Sequence, residues 1–280
     1  MVVAGMAGLG MVLGGASAAT AQPETTASSS SATWSAQING WAENVAVLPG
    51  GDLVVTNFSN HLVQRIDRET KEVSTIAQVA SPGGLAVDGD TLYVTRGNHP
   101  ASLVDKKGGV VAIDLPTGDK RSVITGLGMA NGLAQLPGGD LVYTVTMGGG
   151  TGVHRIDPET GSDRVLTTAV ATPNGIAVGP DGHPYVGSTL HGSITRVDAD
   201  SGESEVVAGT SVLVDDFGFR PDGTIVGASS TGAIDELDPA TGRSRPLRAG
   251  YVGATSAKTL PGGGVAVTTA TGRVLILDLT

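Results

Sequence analysis

A short phrase repeated along the chain constrains its fold more than any other feature. A lead residue opens a short run that ends in a tight Pro/Gly turn. Glu43 runs into Pro49-Gly50-Gly51, Asn131 into Pro137-Gly138-Gly139 and Asn174 into Pro180-Asp181-Gly182. Asp215 runs into Pro221-Asp222-Gly223 and Thr255 into Pro261-Gly262-Gly263. Each lead residue stands six positions before its proline, and a sixth copy, shortened by one residue, reads Gly83-Gly84-Leu85-Ala86-Val87-Asp88-Gly89-Asp90. Successive leads are 40 to 48 positions apart, and self-similarity at such a period marks a repeat architecture.

Each repeat continues in the same way. A second strand pattern follows the turn, as in Leu53-Val54-Val55-Thr56 and Leu141-Val142-Tyr143-Thr144, and a third ends in aspartate, as in Val63 to Asp67 and Val153 to Asp157. Turns such as Pro158-Glu159-Thr160-Gly161 then lead into a fourth strand, with Asp and Gly supplying the turn chemistry. Six repeats of four antiparallel strands, with no long segment of helical period, predict an all-β, six-bladed β-propeller over residues 33–280. The last repeat stops after its third strand. Residues 33–38 are therefore expected to supply the missing fourth strand, closing the ring and removing an open sheet edge.

Composition narrows the rest. With 280 residues, 43 glycines and only 16% charged residues, the chain suits one large domain of short strands and tight turns. A formal charge of −10 argues against nucleic acid and anionic membrane surfaces as partners. The absence of cysteine excludes disulfides and thiolate metal sites. Residues 1–21, apolar and ending in a small-x-small pattern (Ala19-Thr20-Ala21), are expected to be an export signal, although no Lys or Arg precedes Arg65. Residues 22–32 follow as a Ser/Thr-rich linker. The signal implies a secreted or extracytoplasmic protein without stable membrane insertion once it is removed, and the expected partner is a small-molecule substrate, with a monomer as the expected state.

In a propeller the first strand of each blade lines the central tunnel, so the six leads should converge near one mouth. Glu43, Asn131, Asn174 and Asp215 bring oxygen donors there, whereas Gly83 and Thr255 complete the ring without a carboxylate or amide. Oxygen ligands without His or Cys suit Ca²⁺, with another divalent cation as the alternative. Two carboxylates would balance its charge. The competing reading of Asn-Gly at the start of a strand is ordinary turn chemistry.

These residues carry a resemblance. Trp41-Ala42-Glu43-Asn44, Asn131-Gly132, Pro173-Asn174-Gly175-Ile176-Ala177 and Asp215 ahead of Phe219-Arg220-Pro221-Asp222-Gly223 resemble the senescence marker protein/gluconolactonase (regucalcin-like) family of calcium-dependent propellers over residues 33–280. The resemblance implies a catalytic Ca²⁺ held by Glu43, Asn131, Asn174 and Asp215, and hydrolysis of lactones or related esters. The chain departs from the sugar lactonases of that family. Met129 and Gly132 stand where those carry Arg and Asp, and Asn44 and Asp216 replace the usual neighbours of the acidic ligands. A less polar lactone or ester is thus a comparable substrate expectation.

The expected mechanism has the ion polarising the carbonyl or phosphoryl oxygen while Asp215 acts as general base, with Asp216 as the alternative base. Arg96, His191, Met129 and Asn57 are the candidate substrate-binding residues, and the long loop Gly97 to Gly108 is a candidate lid. His154 and His183 are expected to be structural, and Lys258 to be a blade-packing residue or a tunnel contact. The competing class is an exported, non-enzymatic propeller binding module with a structural calcium.

Overall fold

The computed structural model describes residues 32–209 and 214–279. The expected export signal, and all of the linker but Ala32, lie outside the described residues. Six four-stranded antiparallel sheets form the expected six-bladed propeller. Blades 1 to 5 take residues 42–78, 85–127, 130–167, 173–209 and 214–248. Blade 6 consists of Ala254–Thr259, Val265–Thr269 and Arg273–Leu277, completed by the N-terminal strand Trp34–Gln37. Trp34 pairs with Ile276 and Gln37 with Arg273, so the ring closes through its first strand as expected.

The apolar core lies between the blades. Leu48, Val54 and Val63 of blade 1, for example, pack against Leu85, Leu92, Val94 and Ile113 of blade 2. The aspartate ending each third strand is explained locally. Asp67, Asp157 and Asp198 each accept backbone N–H groups two and three residues ahead. Those bonds favour the charged form and hold the Asp198 carboxyl down at about 2.

One feature of the inner strands was invisible in the periodicity. Ala42 faces Asn57 but Val45 faces Val55, Ala130 faces Val145 but Leu133 faces Tyr143, and Pro173 faces Ser188 but Ile176 faces Val186. Blades 5 and 6 shift likewise, with Val214 opposite Ser229 but Asp216 opposite Ala228, and Ala254 opposite Thr269 but Ser256 opposite Thr268. Five of the six lead residues therefore sit in equivalent β-bulges, which bend a strand and re-aim its side chains.

Candidate functional site

Threonines on the second strands hold these bulges in place from the neighbouring blade. Thr56 Oγ1 accepts the Asn44 N–H (3.0 Å) and donates to the carbonyl of Gly83 (2.9 Å). Thr144 Oγ1 accepts from Gly132 N–H (2.8 Å) and donates to the Asn174 carbonyl (2.6 Å). Thr95 donates to the Asn131 carbonyl, and Thr268 to that of Glu43 (3.1 Å). Each of these threonines thus fixes the backbone of a lead residue in the next blade. The glycine after a lead serves the same close approach. A methyl group on Gly132 would come within 2.3 Å of the Asn174 carbonyl oxygen, and one on Gly175 within 2.6 Å of that of Asp215. The Asn-Gly pairs are therefore not turns, because glycine is needed where the inner strands crowd the tunnel.

The leads converge in part by direct contact. Asn174 Nδ2 donates to Asp215 Oδ1 (2.7 Å) and to Thr189 Oγ1 (2.7 Å), which leaves its side-chain Oδ1 without a donor among the described residues. Glu43 is buried and accepts from Asn98 Nδ2 (3.1 Å). Burial first, and then the negative charge of Asp215, raise the Glu43 carboxyl well above its ordinary value. Asp215 is half-buried and keeps some surface open to water. Burial first, then the charge of Asp216, push its carboxyl up to about 7, against the opposing hydrogen bond from Asn174. Asn131 is buried in its own bulge, and its amide makes no hydrogen bond to any described residue. The Trp41 indole N–H lies near Glu43 and lowers its pKa, but without the alignment of a hydrogen bond, and has no other partner among the described residues.

Two seams lack the threonine, because Gly187 and Ala228 take its place on either side of blade 5. At the seam with blade 6 a charged cluster replaces it. Lys258 Nζ donates to Asp216 Oδ1 (2.9 Å), lies 2.8 Å from Asp216 Oδ2, and donates to the Phe217 carbonyl (2.7 Å). Ser256 Oγ donates to Asp216 Oδ2 (2.9 Å). Asp216 is therefore a buried, fully engaged anchor, which corrects the expectation of an alternative base. Lys258 is its counter-ion, and it holds the strand that carries Asp215.

The substrate-binding expectations fare unequally. Asn57 is corrected: its Nδ2 donates to the Asn39 carbonyl (2.8 Å) and Gln64 Oε1 (2.9 Å), while its Oδ1 accepts from Asn60 N–H (3.2 Å), so it staples the loop and has no donor left for a ligand. Met129 is half-buried at the mouth, and its N–H donates to the Met147 carbonyl (2.9 Å). His191 is exposed, with Nδ1 3.3 Å from Ser188 Oγ. Arg96 is half-buried, and its Nε lacks a partner among the described residues. His154 lies between Asp163 and the Gly150 carbonyl, and His183 accepts the Ala199 N–H, both holding local structure as expected. Sequence reasoning missed Asn98, Thr189 and Ser256. Nothing in their neighbourhood distinguishes them until the blades close.

Among the described residues, no three His, Cys, Asp or Glu side chains gather at metal-ligand spacing. An ion at the mouth would rest on two carboxylates and two amide oxygens. The group fits such an ion on its own evidence. Burial raises both carboxyls, the charge of Asp215 adding to the effect at Glu43 and that of Asp216 to the effect at Asp215, and two amides have oxygen capacity that the described residues leave unused. A recess of about 380 Å³ at Asp88, Gln135 and Pro137 lies at the opposite end of the strands and is bridged by a Gln135–Asp88 hydrogen bond.

Gluconolactonase propellers are among the structural neighbours. A gluconolactonase of Xanthomonas campestris superposes with a TM-score of 0.71 at 19% identity, covering 85% of this chain and 86% of its own. A putative gluconolactonase gives 0.69 at 17% identity, covering 87% and 92%. A chain of a nidogen/laminin complex gives 0.67 at 20% identity, covering 79% and 87%. At these identities the likeness establishes the propeller fold. No protein-family model and no curated sequence matches the chain.

Proposed function

We propose that this protein is a calcium-dependent hydrolase of a lactone or related small ester, working at the tunnel mouth. The observation that carries this reading is the Glu43–Asn174–Asp215 group, where repelling carboxylates and unused amide oxygen meet at one end of the tunnel. A calcium ion held by Glu43, Asn131, Asn174 and Asp215 would supply Lewis-acid polarisation of the substrate carbonyl. Asp215 takes a proton from water as the water oxygen attacks the carbonyl carbon. It returns the proton to the alkoxide released when the acyl C–O bond breaks, giving the hydroxy acid. Asn174 orients the Asp215 carboxylate and is itself held by Thr189. Asn98 holds Glu43, and the buried Trp41 indole N–H lies beside the same carboxyl.

The test is hydrolysis of a lactone and aryl-ester panel by wild type and Asp215→Asn, with chelator and with added Ca²⁺. Activity should disappear on chelation and return with Ca²⁺, and Asp215→Asn should lose at least about 100-fold in kcat. Activity indifferent to both changes would end the proposal. The second reading, a binding module with a structural ion, draws on the same fold in the nidogen/laminin complex. It expects calcium to raise the melting temperature without any turnover.

A further inference from the structure

Among the described residues the large exposed hydrophobics are unevenly placed. Leu103 (40% exposed), Val104 (88%), Leu190 (68%) and Val252 (72%) lie on loops of the mouth face, and the remaining two, Val165 and Val206, on outer strands. Three of the mouth residues connect directly to the site. The loop bearing Leu103 and Val104 also bears Asn98, which bonds Glu43. Leu103 packs on Gly148, beside Met147, and the Met147 carbonyl accepts the N–H of Met129, two residues ahead of Asn131. Leu190 follows Thr189, which holds Asn174.

Resting on the hydrolase reading, we propose that this rim binds a hydrocarbon chain, and that the substrate is a lactone or ester carrying an alkyl substituent rather than a polyhydroxylated sugar ring. Around Asn131 and Asn174 a sugar ring would need donors and acceptors, whereas Leu103, Met129, Met147 and Leu190 contribute apolar side chains to the adjoining rim. Methionine side chains adapt to flexible chains better than to one rigid shape. A chain leaving the reacting carbonyl over blades 2 to 4 would cover side chains that otherwise face water. Each methylene so buried should raise kcat/KM by up to about fourfold.

The experiment measures kcat/KM with Ca²⁺ for γ-lactones whose side chain grows from methyl to heptyl, and for glucono-lactone. Calorimetry of the matching γ-alkyl lactams, which resist opening, gives a binding readout without turnover. Wild type should prefer longer chains in both series. Leu103→Asp and Leu190→Asp should flatten the dependence, while Val206→Asp on an outer strand should leave it intact. Calcium-dependent hydrolysis with no rise along the series, or a preference for glucono-lactone, overturns the rim and leaves the hydrolase reading standing. Lactam binding that strengthens with chain length and is lost in Leu103→Asp, without hydrolysis of any lactone, supports the rim and removes the reaction. Neither rate nor binding rising with chain length overturns the rim.

Discussion

Replacing Asp215 by Asn should stabilise the ion-free protein at pH 8 and change little at pH 4. Burial and the charge of Asp216 push the Asp215 carboxyl from 3.8 up to about 7 in the folded state. A raised carboxyl binds more protons folded than unfolded between those values. Stability is therefore full below about 4 and falls as pH rises through about 7. At about 1.4 kcal/mol per pH unit, the interval from 3.8 to about 7 costs at most about 4 kcal/mol at pH 8. For a domain of this size that is on the order of 10 °C in melting temperature. Asparagine keeps the oxygen that accepts from Asn174 Nδ2 and removes the charge. The assay is thermal unfolding with chelator from pH 4 to 8.5. Glu43, raised first by burial, leaves a residual slope in the variant even after the charge of Asp215 is removed. Calcium should reverse the order at pH 8, stabilising wild type more than Asp215→Asn. A difference between the two ion-free proteins that stays flat across the pH range would refute the crowding of carboxylates at the mouth.

Further tests address the frame. Lys258→Met leaves the buried Asp216 carboxylate without its cation and should cost about 3–5 kcal/mol in denaturant unfolding. Adding Asp216→Asn should recover part of that loss, and no recovery would contradict the assigned pairing. Gly132→Ala should cost at least about 1–3 kcal/mol, because the methyl meets backbone in the next blade. Gly138→Ala has open space around it and should stay within about 0.5 kcal/mol of wild type. Deleting residues through 40 exposes the edge of Arg273–Leu277 and should lower the melting temperature by at least about 5 °C. A truncated protein that melts like the full chain would show that closure carries little of the stability.

The architecture was legible because a propeller writes itself in local signals. Lead, strand, turn and aspartate recur in register, and even the missing last strand could be located from where the pattern stops. The inner bulges and the neighbouring-blade contacts were not legible, since an extra residue in a ladder leaves the period of the flanking apolar positions intact. Asn131-Gly132 and Asn174-Gly175 look like turns in one dimension. Only the approach of the next blade shows why glycine follows the amide.

The roles of individual polar residues divided along the same line. By itself the sequence determined that the leads at one mouth comprise two carboxylates, two amides, a threonine and a glycine, since the repeat equates their positions. Only the tertiary structure decided that Asp216 is bound to Lys258 and Ser256 while Asp215 stays open to the tunnel. It likewise showed that Asn57 is spent on its own loop while Asn98 reaches Glu43. The physical reason is that a side chain's charge state and free hydrogen-bonding capacity depend on partners many tens of residues away. Those partners come within reach only when the ring closes.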